Sequence, residues 1–205
     1  MIEIPKIDGS IKRLRIDIGL SYCAPHSQEW LQEADDIFVF GFEPVPENCK
    51  NVLEVIKSDR FHLYEYAVSS TNDDKTFNVT KHSDSIAKDR GQSGFYEPSN
   101  TCPFSVDFKI QVKCLTLNYF LSLLDWSRFD SIEFMKIDTQ GHDLEIIKSA
   151  QEYIDKLPLI QLESSTNGEY FGAPKDHNPQ SIFEFMSTKG YSLVRSFQGD
   201  HTYAK

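Results

Sequence analysis

Asp17, Glu43, Asp138 and Glu163 each stand at the end of a short apolar run. The runs are Leu14–Ile18, Ile37–Phe42, Ile132–Asp138 and Leu159–Glu163, and their composition predicts strands. Carboxylates at the ends of successive parallel strands meet along one rim, where open α/β sheets bind ligands. Gly19 after the first strand would let a ligand approach the backbone closely. Glu43, 26 residues after Asp17, stands where an acidic residue holds both ribose hydroxyls of a nucleoside cofactor. The first turn reads Gly19-Leu20-Ser21-Tyr22-Cys23 and lacks the further glycines that a pyrophosphate prefers.

The same rim carries groups suited to proton transfer. His142 lies near Asp138 at a predicted helix start, where the helix dipole favours neutral imidazole. It is the first candidate for a general base, and His177 in the loop after the fifth core strand is the second. Lys136 leaves its strand on the same face as Asp138. A lysine in a buried run needs a partner, and Lys136 is expected either to pair with Glu163 or to help orient substrate. Asp138 and Glu163 could instead share a divalent ion such as Mg²⁺ or Mn²⁺, which takes carboxylate oxygens and acidifies a bound hydroxyl. Asp138 could also cap the helix after Gly141. Phe95 and Tyr96, with Tyr170 and Phe171, offer aromatic faces in loops, and Ser93-Gly94 is a point where a lid backbone could approach a cofactor.

Strands and helices alternate to position these groups. A helix is predicted from Pro25 to about Ala34 with Trp30, Leu31 and Ala34 on one face, and another from about Glu47 to Lys57 with Val52, Val55 and Ile56 inward. Phe61–Val68 is predicted as the third strand. Residues 69–105 are polar, with a weak strand signal at 76–79. The insertion over about 69–113 is expected to form a lid or substrate wall, since long loops inside a compact domain are usually functional. Phe108–Val112 alternates as a strand does. Helical stripes follow at Leu117, Phe120, Leu121 and Leu124, at Leu144, Ile147, Ala150 and Ile154, and at Ile182, Phe183 and Met186. Gly190 suits a left-handed helix cap, and Tyr191–Phe197 with Thr202–Ala204 forms a predicted closing hairpin. The expected fold is α/β: a Rossmann-like, mostly parallel seven-stranded sheet with helices on both faces and a C-terminal antiparallel hairpin, in one domain spanning 1–205.

The composition narrows the partners. The 205 residues carry 31 acidic and 21 basic side chains, a formal net charge of -10. Nucleic-acid binding needs a basic surface, which this balance disfavours, and attachment to anionic lipid is disfavoured likewise. No apolar run approaches the roughly 20 residues that span a bilayer. The N-terminus lacks the pattern of a signal peptide. Cys23, Cys49, Cys102 and Cys114 form no C-x-x-C pair and suggest no zinc site, so a reduced, cytoplasmic compartment is expected.

Longer motifs carry a resemblance. Phe42-Glu43-Pro44-Val45-Pro46 resembles the Phe-Glu-Pro-x-Pro signature of FkbM methyltransferases, and Lys136-Ile137-Asp138-Thr139-Gln140-Gly141 resembles that family's Lys-Ile-Asp-x-x-Gly segment. Ala67-Val68-Ser69 is similar to its Ala-x-Ser, and Asp17-Ile18-Gly19 to the start of its first loop. The resemblance spans roughly Leu14 to Glu163. It implies S-adenosylmethionine as cofactor, held by Asp17, Gly19, Ser21, Glu43, Pro44, Ala67, Val68 and Ser93, and O-methylation of a hydroxyl on a sugar, a glycan or another small molecule. S-adenosylmethionine carries no phosphate, in keeping with the missing glycines. His142, Asp138 and Lys136 form the implied catalytic set. Cys23 replaces the loop's second glycine, Ser21 stands where asparagine is common, and Asn118 replaces a frequent aspartate, which removes that position from the catalytic set. Two alternatives are a nicotinamide-dependent oxidoreductase, disfavoured by the missing glycines, and a catalytically silent module that binds a glycan or protein.

Overall fold

The computed structural model describes residues 2–82, 90–100, 102–164, 170–175 and 177–205. Parts of the expected lid (83–89 and 101) and of the loop after the fifth core strand (165–169 and Asp176) lie outside the described residues.

Strand β1 (Arg13–Ile18) leads through a tight turn to helix α1 (Pro25–Glu33), which Pro25 opens without losing a hydrogen bond. Strand β2 (Ile37–Phe42) is buried along its whole length, as its unbroken apolar run requires. Helix α2 (Pro46–Val55) buries Val52. Ile56 is buried beyond its end, whereas Val55, expected on the inner stripe, is 51% exposed because the helix stops there. The predicted third strand is two elements. Strand β3 (Phe61–Tyr64) pairs with β2, whereas β4 (Ala67–Val68) leaves the main sheet for its own partner.

The insertion is more regular than its polar sequence suggests. Strand β5 (Lys75–His82) and, after β6 (Glu97–Pro98), strand β7 (Phe104–Val112) form a long antiparallel ladder. Asn78 and Thr80 of β5 are buried among apolar neighbours, which masks the alternation of a strand. Residues 90–96 explain their burial: Asn78 Nδ2 donates to the Phe95 carbonyl at 3.1 Å, and the Thr80 N–H donates to Ser93 Oγ at 3.0 Å. Strand β8 (Cys114–Leu115) then pairs in parallel with β4.

Helix α3 (Leu117–Ser122) is capped by Thr116 Oγ1, which accepts the Tyr119 N–H. Strand β9 (Phe134–Ile137) is followed by helix α4 (Asp143–Lys148) and a 3₁₀ turn at Gln151–Lys156, so the predicted stripe from Leu144 to Ile154 spans two short helices. Strand β10 (Leu159–Glu163), the short β11 (Tyr170–Phe171), helix α5 (Pro179–Thr188) and the hairpin β12 (Ser192–Phe197) and β13 (Asp200–Ala204) complete the chain. Phe183 of α5, expected inward, is 42% exposed. Gly190 adopts φ 83°, as expected of the cap.

The main sheet runs β12-β13-β10-β9-β1-β2-β3, with β13 antiparallel to both of its neighbours. One face, with Ile16, Phe40, Met135 and Ile160, packs against Phe120, Leu144, Ile147 and Ile182. Burial of each such side chain contributes about 1.5–3 kcal/mol. The other face, with Ile37 and Val39, packs against Trp30 of α1, with Leu20, Val52 and Ile56 forming a second cluster. The seven-stranded sheet with its antiparallel hairpin is the architecture that the alternation predicts. Among the described residues, no helix is long and apolar enough to cross a membrane.

Candidate active site

The sheet order β3-β2-β1-β9-β10 reverses direction between β1 and β9, so a crevice opens beyond the C-termini of these strands. A cleft lies there. Gly19, Ser21, Glu43, Pro44, Ala67, Val68, Ser93 and Asp138, all expected at the site, line it. Apolar walls come from Phe42, Phe77 and Phe95.

The turn after β1 is conformationally demanding. Gly19 has φ 82°, and a Cβ there would lie 1.9 Å from the Asp138 carbonyl oxygen, so only glycine fits. Ser21 and Ala24 also adopt positive φ, at 58° and 48°. Strain of this kind gathers at ligand sites. The turn directs the Ser21 N–H at the Glu43 carboxylate, which also accepts the Val45 N–H at 2.9 Å and a bond from Asn48. Burial outweighs these bonds and raises Glu43 to a pKa of about 7.

Asp17 is placed differently from the expectation. It is 1% exposed, does not line the cleft, and accepts the Ser27 hydroxyl of α1 at 2.7 Å. Burial raises its pKa. Its Oδ1 lies 3.8 Å from Lys136 Nζ without a hydrogen bond. Lys136 also lies 3.2 Å from Asp138 Oδ2, so its partners are these two aspartates and not Glu163 as expected. Burial opposes the charge of Lys136, but Asp138 and Asp17 together hold its pKa above the ordinary value.

Asp138 does not cap a helix, since α4 begins after His142 without a side-chain cap. Nor do Asp138 and Glu163 form a metal pair. Gln140 Nε2 occupies the position between them, donating to Asp138 Oδ1 at 2.6 Å and Glu163 Oε2 at 3.0 Å, while Lys136 supplies the positive charge. Among the described residues no group of three or more His, Cys, Asp and Glu side chains could hold a metal ion. Burial would raise Asp138, but Lys136 and the bonds from Glu163 and Gln140 outweigh it and keep Asp138 ionised. Burial, reinforced by the Asp138 charge, pushes Glu163 far above the carboxylate range, so Glu163 is the protonated partner. Asp143, fully buried, is raised to about 8 by burial and then by Asp138, although it accepts N–H bonds from Thr139 and Glu163. The cluster thus holds one ionised carboxylate facing the cleft.

His142 is 6% exposed and lies behind Phe95, whose ring centroid is 4.8 Å away. Its Nε2 is 3.1 Å from Ser69 Oγ and its Nδ1 is 3.2 Å from the Tyr96 hydroxyl. Burial first, then the charges of Lys75 and His177, lower its pKa to about 4. Burial rather than the dipole of a six-residue helix therefore keeps it neutral. Tyr170 pairs with β6 as part of a two-stranded ladder, and its hydroxyl bonds Gln140 and Gln92. Phe171 is 53% exposed and turned away. His177 is buried.

Sequence reasoning missed Asn48, Arg90, Gln140 and Asp143. Gln140 sits at φ 56° beside Gly141 at 99°, a strained pair that only the Gln-Gly sequence hinted at. Arg90 lines the cleft and is fixed by Glu47 at 3.2 Å and Asp107 at 2.8 Å, contacts too distant in sequence to be foreseen.

A parallel sheet reversing between β1 and β9, a glycine turn and an acid after β2 define the class of Rossmann-like methyltransferase folds. The methyltransferase FkbM domain profile matches residues 22–193, and the chain belongs to that family. No curated protein sequence matches the chain. Among solved structures, the methyltransferase FkbM from Methylobacillus flagellatus KT is similar with a TM-score of 0.55 at 12% identity. That match covers 96% of this chain and 44% of the other, so the chain spans less than half the length of that relative. A precorrin-6y C5,15-methyltransferase from Geobacter metallireducens GS-15 matches with a TM-score of 0.49 at 14% identity, over 95% of this chain and 81% of that one. The Methanococcus jannaschii fibrillarin pre-rRNA processing protein matches with a TM-score of 0.49 at 11% identity, over 97% and 69%.

Proposed function

We propose that this chain is an S-adenosylmethionine-dependent O-methyltransferase whose acceptor is a hydroxyl of a sugar or glycan. The observation that carries the cofactor is the Gly19–Ser21 turn meeting buried Glu43 at the mouth of an apolar-walled cleft. Glu43 suits a ribose diol, and Phe77, Phe95 and Val68 suit a flat base. The cofactor, when bound, supplies an electrophilic methyl group on a sulfonium. That methyl would pass to the acceptor oxygen, whose proton must leave. Asp138 is the ionised carboxylate at the cleft and takes that proton, while Lys136 and Gln140 fix its orientation.

The carbohydrate assignment is supported by the net charge of -10 and by a rim rich in hydrogen-bond acceptors. The segment at about 69–113 serves as the wall of the site within a single domain. The four free cysteines favour a reduced, cytoplasmic setting.

Calorimetric titration with S-adenosylmethionine, S-adenosylhomocysteine and NAD, paired with methyl transfer to a panel of glycosides and phenolic or polyketide hydroxyls, tests the assignment. Binding of the first two without NAD, and transfer to a glycoside, is expected. Transfer only to non-sugar hydroxyls, RNA or protein overturns the acceptor class, and cofactor binding without any transfer points to a silent module.

A further inference from the structure

Beside the cleft, four side chains form a continuous chain. Lys75 Nζ is 2.8 Å from Ser69 Oγ, Ser69 Oγ is 3.1 Å from His142 Nε2, and His142 Nδ1 is 3.2 Å from the Tyr96 hydroxyl. The direction of each bond follows from which group can donate. An ammonium only donates, so Ser69 Oγ accepts from Lys75. Ser69 is fully buried, and its hydroxyl proton has no other acceptor among the described residues than His142 Nε2. A buried hydroxyl with an unused proton is costly, so Ser69 donates to Nε2. The neutral imidazole then carries its proton on Nδ1 and donates it to the Tyr96 oxygen. The Glu145 carboxylate, 3.9 Å from Nδ1, favours a proton on the same nitrogen.

We propose that Lys75 and Ser69 lock His142 in the Nδ1–H tautomer, making it a donor that positions Tyr96 rather than the proton acceptor of the reaction. Every link points from the Lys75 ammonium toward Tyr96. The lone pair of His142 faces Ser69, on the side away from Tyr96. Bonds in such a chain polarise one another, so the Tyr96 O–H becomes a strengthened donor. Tyr96 is partly exposed and adjoins Phe95, which lines the cleft, and Gly141, where an added Cβ would lie 3.3 Å from the Tyr96 ring. The tautomer assignment stands on geometry alone. The role of Tyr96 rests on the proposed methyl transfer.

The two parts separate in the test. Imidazole ¹⁵N shifts of the histidine-labelled protein at neutral pH should show His142 protonated at Nδ1 and bare at Nε2. Protonation at Nε2 overturns the proposal whatever the protein methylates. The activity arm compares His142→Asn with His142→Ala on whichever glycoside the wild type methylates. The Asn amide nitrogen stands where Nδ1 stands and can donate to Tyr96, but it cannot take a proton. A positioning role predicts that Asn stays within about tenfold of wild-type kcat/KM while Ala falls well below it, with S-adenosylhomocysteine affinity unchanged in both. A base role predicts an equal fall of about 10²–10⁴ in both variants, which overturns the proposal. No transfer by the wild type defeats the methyl-transfer assignment, and the ¹⁵N shifts still decide the tautomer.

Discussion

Glu43 gives the cofactor assignment a pH signature. Its carboxyl is 4% exposed, and burial moves its pKa from the ordinary 4.5 to about 7. Hydrogen bonds from a ribose diol favour the ionised form, because a carboxylate accepts bonds that a protonated carboxyl accepts poorly. Cofactor binding should therefore be coupled to loss of this proton. Well above pH 7 the free protein is already ionised and affinity is maximal. Below pH 7 each unit of acidification costs up to about 1.4 kcal/mol, or tenfold in Kd. Affinity for S-adenosylmethionine should thus fall roughly tenfold between about pH 8 and pH 6, measured by calorimetry, with proton release visible as a dependence on buffer ionisation enthalpy. Glu43→Gln should weaken binding by about 1–3 kcal/mol at pH 8 and flatten the pH dependence. The same residue has an opposite effect on stability. With its pKa raised in the folded state, the folded protein binds more protons than the unfolded chain between about 4.5 and 7, so stability falls as pH rises through that window. The full difference corresponds to about 3 kcal/mol. Glu43→Gln should therefore be more resistant to urea than wild type at pH 8, and the gain should vanish at pH 4. A wild-type Kd that is flat from pH 6 to 8, or a Gln variant that binds as tightly as wild type, refutes the ribose assignment.

Exhaustive chelation should leave turnover unchanged, because Gln140 Nε2 already occupies the position between Asp138 and Glu163, and Lys136 already supplies a positive charge to Asp138. Asp138→Asn should lose about 10²-fold or more in kcat while keeping its circular dichroism spectrum and thermal midpoint near wild type. Gly19→Ala should abolish cofactor binding and lower stability by more than the ~1–2 kcal/mol of a left-handed residue, since its Cβ would collide with the Asp138 carbonyl at 1.9 Å. Lys136→Met should cost about 3–5 kcal/mol in urea denaturation at pH 8, because it strands the ionised Asp138 carboxylate. A Met variant as stable as wild type would show that this carboxylate is neutral in the fold.

The sequence made the sheet legible because its core strands are either unbroken apolar runs, as Ile37–Phe42 is, or strictly bounded by a glycine or an acid, as Leu14–Ile18 is. The closing hairpin was legible through Gly190 and its flanking runs. The ladder of β5 and β7 was seen only in fragments. Asn78 Nδ2 donates to the Phe95 carbonyl and Thr80 pairs with Ser93, and a strand whose buried positions are polar shows no hydrophobic period. Site residues fixed by backbone geometry were also readable, as Gly19 and Glu43 show. Those fixed by side-chain partners were not. Lys136 could be placed on the face of Asp138 by its two-residue spacing, but its choice of Asp17 over Glu163 depends on strand register, with Asp17 directly opposite Lys136 on β1. The bridging role of Gln140 gave no signal, since one amide between two carboxylates is visible only once β9 and β10 are side by side.

That register explains why the rim carries so many acids without carrying their charges. Asp138, Asp143, Glu163 and Asp17 are all largely buried, and four ionised carboxylates at such separations would repel one another strongly. Lys136 resolves the conflict for one site only. It lies 3.2 Å from Asp138 and 3.8 Å from Asp17, and the nearer carboxylate is the one held ionised. Burial first, and then the Asp138 charge, raise Glu163 and Asp143, so ionising Asp138 helps to keep its neighbours protonated. Glu163 can then donate a hydrogen bond to Asp138, and Gln140 donates another. The outcome is a carboxylate whose orientation is fixed from three sides while the fourth faces the cleft. A cationic methyl donor placed there would meet one preorganised negative charge, and an acceptor hydroxyl would meet a carboxylate already oriented by its neighbours. Asp138→Asn should therefore lower the pKa of Asp143 and of Glu163 as well as abolish turnover. Carboxyl ¹³C titration of the variant checks this directly, and an Asp143 that still titrates near 8 would show that burial alone sets its proton.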